Sequence, residues 1–92
     1  MSRLKPGVNE KTIKDFFSSP VWEYALDILT VRRLLTLDKI VEESKIDKIR
    51  ILQGRIQELD FLIALEAAVM NDYLIDLDEE RQSKNEGGNN GK

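Results

Sequence analysis

Ile49, Leu52, Ile56, Leu59, Ile63, Glu66, Met70, Tyr73 and Leu77 follow one another at steps of three and four residues. Side chains so spaced share one face of an α-helix, and a series this long describes a helix packed lengthwise against another. Glu66 alone interrupts the apolar run, and Ala67 beside it can fill that layer. Leu62, Leu65 and Val69 form a second line on the flank of the first. A helix is expected over residues 45–80, and so sustained a pattern argues for coiled-coil or bundle packing.

Little upstream interrupts helical structure. Of two prolines and five glycines in 92 residues, only Pro20 and Gly54 lie between Val8 and Arg81. Asn9 is suited to accept hydrogen bonds from the first free amides of a helix, which predicts a short helix over 10–18 with Ile13, Phe16 and Phe17 on one side. Ser18-Ser19-Pro20 ends it and starts the next, because serine before a proline at the first helical position is a start signal. The second helix, over 20–43, carries Val21, Tyr24, Ala25, Ile28, Val31, Leu34, Leu35, Leu37 and Val41 at steps of three and four, where they occur in series. Trp22, Leu26, Leu29 and Ile40 widen this stripe beyond half the circumference.

Extending the register of Ile28, Val31 and Leu35 leads to Asp38, Glu42 and Lys45 before apolar residues resume at Ile49. Three polar seam positions in a row favour a turn near 43–47, with Ser44 and Asp47 resembling a capping pair. The absence of glycine or proline there leaves one continuous rod as the alternative. The expected fold is all-α: a short N-terminal helix followed by a long antiparallel, coiled-coil-like helical hairpin. Residues 1–8, with Pro6-Gly7, read as a flexible arm and 9–80 as a single helical domain. The polar, glycine-rich stretch at 81–92 reads as a disordered tail.

A lone hairpin buries one stripe per helix and leaves the others wet. The unsatisfied apolar positions predict association, either with further copies or with another protein. The expected interaction residues are the aromatic corner Phe16, Phe17, Trp22 and Tyr24, and the flanking line Leu62, Leu65 and Val69. The aromatics have a plainer use as well, since they can pin the corner between the first two helices. Gly54 inside the most regular helix predicts a close helix crossing opposite it.

Composition narrows the function. With no histidine and no cysteine, the commonest general base, nucleophile and transition-metal ligands are missing. Carboxylates at i, i+4 (Glu23 with Asp27, Asp38 with Glu42, Asp72 with Asp76) are spacings that any charged helix produces, and no glycine-rich phosphate loop occurs. The chain is expected to be no enzyme and to take no cofactor or small-molecule substrate. Net charge is −3, with basic residues prevailing over 1–19 and acidic ones over 76–92. Lys48, Arg32, Arg33, Arg50 and Arg55 form a basic band in a hairpin, but Asp27, Asp38, Glu58 and Asp60 are near enough to pair with it. Nucleic acid is therefore not the expected partner. No apolar run approaches the roughly 20 residues that span a bilayer, and the start of the chain lacks the apolar stretch of a secretory signal.

Two segments, Asp15-Phe16-Phe17-Ser18-Ser19-Pro20-Val21-Trp22-Glu23 and Leu52-Gln53-Gly54-Arg55-Ile56-Gln57-Glu58-Leu59, resemble a loosely defined group of small helical proteins. These are encoded in tailed-bacteriophage genomes near capsid-assembly and DNA-packaging genes. The resemblance covers residues 13–65 and implies a phage context with a structural or assembly role, in the virion or the host cytoplasm. It carries no functional residues. This chain departs from the group at Thr30-Val31 and Leu34-Leu35-Thr36-Leu37, where its first long helix is more apolar. Two readings follow: a self-associating virion or assembly component, or a phage adaptor or inhibitor that binds a host or phage enzyme.

Overall fold

A computed structural model describes residues 3–90 of the chain, with side chains through Lys84. Among these residues the fold is all-α, with four helices: α1 (Glu10–Phe17), α2 (Pro20–Glu42), α3 (Ile46–Ile63) and α4 (Leu65–Asn90). α1 opens on a reciprocal cap. The Asn9 side chain accepts from the Thr12 amide at 3.0 Å, and the Thr12 hydroxyl accepts from the Asn9 amide at 3.0 Å. Ser19 caps α2 by accepting from the Trp22 amide at 3.3 Å, with Pro20 in the first turn.

α2 and α3 run antiparallel around a three-residue turn, and Arg33 Nε donates to Asp60 Oδ1 at 2.6 Å across the pair. The turn is built differently from the expected Ser44–Asp47 cap. Lys45 holds the cap position of α3 without a side-chain hydrogen bond. The Glu43 carboxylate instead accepts from the amides of Ser44 and Lys45, both at 3.1 Å. A carboxylate beside two otherwise unpaired amides does the work that glycine or proline does in other tight turns.

The single helix expected over 45–80 is two helices. Ala64 leaves helical geometry (φ −93°, ψ 18°), and its amide is still held by the carbonyls of Asp60 and Leu62. No helix-breaking side chain causes this. Past the break the buried face of α4 is carried by Leu65, Val69, Met70 and Tyr73, which pack on Ile13, Phe17 and Trp22. Glu66 and Ala67 are exposed, so Ala67 does not fill the Glu66 layer.

Residues 3–8 lie along α4: the Arg3 guanidinium grips Asp76 with Nη2 at 2.8 Å and Nε at 3.1 Å from the two carboxylate oxygens. That hydrogen bond, and then the charge of Asp76, raises the Arg3 pKa further above its ordinary value. Gly7 supplies the left-handed turn (φ 84°) that lets its carbonyl accept from the Thr12 hydroxyl at 2.8 Å. At the other end α4 continues to Asn90. Its added turns begin with strong helix formers, tied by Gln82 to Asp78 at 3.2 Å and Lys84 to Glu80 at 3.6 Å. Residues 1, 2, 91 and 92 of the arm and tail lie outside the described residues.

The molecule is a thin slab, 67 × 32 × 13 Å, with a radius of gyration of 19.5 Å. A compact domain of this length has a radius of about 12 Å.

Candidate interaction surface

The aromatic corner is an interior feature in part. Phe17 and Trp22 are buried with Ile13, and their rings meet edge to face with centroids 4.9 Å apart. Phe16 stands against Phe17 at 4.9 Å, also edge to face, yet its own ring is largely exposed. Tyr24 points away from the cluster and is exposed. Leu65 and Val69 pack onto the buried three, so that flanking line is used within the chain as far as its first member, Leu62, which stays exposed. Of the seven residues singled out from the sequence, Phe16, Tyr24 and Leu62 are therefore free for a partner, while Phe17, Trp22, Leu65 and Val69 hold the corner together.

A second exposed apolar surface lies on α2. Inside the hairpin α2 turns Trp22, Ala25, Leu26, Leu29, Arg33, Thr36, Leu37 and Ile40 toward its neighbours. The register beginning at Val21 and passing through Ile28, Val31 and Leu35 faces out, not into the seam. Val21 is 76% exposed, Tyr24 68%, Ile28 40%, Val31 54% and Leu35 55%. Two interleaved heptad stripes run along one helix, and burial of Trp22, the largest apolar side chain, decides which of them the hairpin takes. Asp38 and Glu42, which looked like interruptions of the seam, stand on the outer stripe and are exposed.

Beside this stripe the two long helices leave a shallow groove. Arg32, Leu35 and Lys39 line it from α2, and Arg55, Glu58 and Leu62 from α3. Arg32 and Arg55 thus line one groove with Glu58, and Arg33 is taken by Asp60, so the basic band is divided among acidic neighbours. Gly54 meets no close helix: a Cβ built there would have nothing within 4 Å. It lies on the far edge of α3 with Gln57, Glu58, Phe61 and Leu62.

Among the described residues no group of three or more acidic side chains is arranged to hold a metal ion, and no helix is long and apolar enough to cross a membrane. No protein-family model, curated protein or solved structure matches the chain.

Proposed function

We propose that the chain is a non-enzymatic helical interaction protein, a phage structural or assembly component that acts by packing against further copies of itself. One observation carries this reading: a regular apolar stripe, Val21-Tyr24-Ile28-Val31-Leu35, faces solvent along α2. Its spacing is that of a helix–helix seam, and among the described residues no helix lies opposite it. The shape supports the same reading. The accessible surface is 7484 Å², whereas a compact monomer of 10.6 kDa exposes about 5,500 Å². The excess, roughly 2,000 Å², exceeds the about 800 Å² that each partner contributes to a standard interface. The phage context rests on the resemblance of segments 15–23 and 52–59, and with it goes the reading that the protein acts in the virion or in the host cytoplasm.

Light scattering behind a sizing column tests the reading over a range of protein concentrations. The expected result is a mass that is a multiple of the chain. A clean monomer up to high micromolar concentration would sink it and favour a soluble adaptor anchored through exposed Phe16 and Tyr24.

A further inference from the structure

We infer that α2 is the self-interface, and that it meets α2 of a second copy antiparallel, with Ile28 facing Val31 of that copy. This rests on the self-association reading and adds its surface and geometry. The stripe is complementary to itself, as a two-fold interface requires: steps of three and four on one helix form the holes that the same steps on another fill.

Charge selects the direction. In a parallel, in-register pair the stripe would run on to set Asp38 against Asp38 and Glu42 against Glu42 in successive seam layers. Antiparallel pairing about the point between Leu29 and Thr30 sets Tyr24 against Leu35 and Val21 against Asp38, whose carboxylate then sits at the end of the seam in reach of water. The two Asp38 carboxylates end up about 25 Å apart along the axis at 1.5 Å per residue. A parallel pair would gain Asp27–Arg32 ion pairs on its rim, but exposed pairs of that kind contribute little, while like charges inside a seam oppose pairing directly. The partner helix also overhangs the neighbouring groove, where Leu35 and Leu62 stand on opposite walls. That gives the exposed Leu62 a covering the chain itself does not supply.

The absence of native cysteine makes a direct test possible. Tyr24→Cys and Leu35→Cys chains are prepared separately, mixed, and oxidised. The expected result is a disulfide-linked dimer from the mixture, several-fold more abundant than from either variant alone. In the inferred geometry like positions lie about 16 Å apart along the axis, whereas a disulfide needs Cα atoms within about 7 Å. Equal cross-linking of each variant with itself would overturn the antiparallel arrangement. In parallel, Val31→Asp should halve the mass seen by light scattering while far-UV circular dichroism stays helical, and Leu74→Asp on exposed α4 should leave the mass unchanged. An unaltered chain that is itself monomeric would overturn self-association altogether. An oligomer that survives Val31→Asp, or that Leu74→Asp dissolves instead, would overturn the α2 interface alone.

Discussion

Trp22 and Tyr24 are two residues apart on one helix and have opposite fates. The helical period turns them about 200° from each other, so only one can face the hairpin. Trp22 carries the corner: it is buried against Phe17 and touches residues from α1, α2 and α4 through the same small cluster. Trp22→Ala should cost about 3–5 kcal/mol, against within about 0.5 kcal/mol for Tyr24→Ala, read by urea unfolding in dilute solution. Gly54 is the second residue whose role changes once its surroundings are known. It sits in a helix interior with open space over it and a negative φ, so nothing requires a glycine there. Gly54→Ala should raise stability by about 0.5–1 kcal/mol, measured as a shift in urea midpoint. A destabilised variant would mean that another chain approaches α3 at that point.

At the scale of elements, the long hairpin is bent and unevenly supported. α4 packs on α1 over its first turns, and its contacts with the buried cluster end at Tyr73. Further along, Arg3 of the N-terminal arm clasps Asp76. Amide hydrogen exchange should therefore divide α4: slow from about Val69 to Tyr73, and faster by orders of magnitude from Asp78 to Lys84, where the helix relies on its own i, i+4 pairs. Uniform slow exchange over the whole helix would show that something further covers its distal half. Much of this level is legible in the residues. Asn9, Ser19 and Pro20 announce the starts of α1 and α2, because capping is a local matter of one side chain and one or two amides. The break at Ala64 is not legible, since alanine is the strongest helix former and no glycine, proline or capping side chain marks a stop there.

The whole molecule has a small interior for its length. Ile13, Phe17, Trp22 and Leu52 are the buried hydrophobic residues among those described, and no polar side chain is buried with them. A slab 13 Å thick is one layer of helices, and one layer cannot surround a core. Covering roughly 400 Å² of apolar surface contributes about 10 kcal/mol, which is comparable to the roughly 4–15 kcal/mol that association costs in lost freedom. Folding and assembly should therefore be linked. The thermal midpoint should rise with protein concentration over a hundredfold range, by mass action on the associated state. A midpoint independent of concentration would mean that the single chain is stable by itself.

What the residues determined unaided is what depends on neighbours in the chain: helical structure over most of residues 10–80, the corner at Ser18-Ser19-Pro20, and the presence of more apolar stripe than one hairpin can hide. Which stripe goes inside was decided only in three dimensions. Val21-Ile28-Val31-Leu35 and Trp22-Leu26-Leu29-Ile40 are both well-formed seams, and periodicity assigns neither the preference. The choice depends on the total surface buried when α1, α2 and α4 meet at one corner, and Trp22 with Phe17 tips that balance. The regular series from Ile49 to Ile63 kept its place because α2 lies along it throughout; beyond Ala64 its partner is α1, and the buried face turns accordingly.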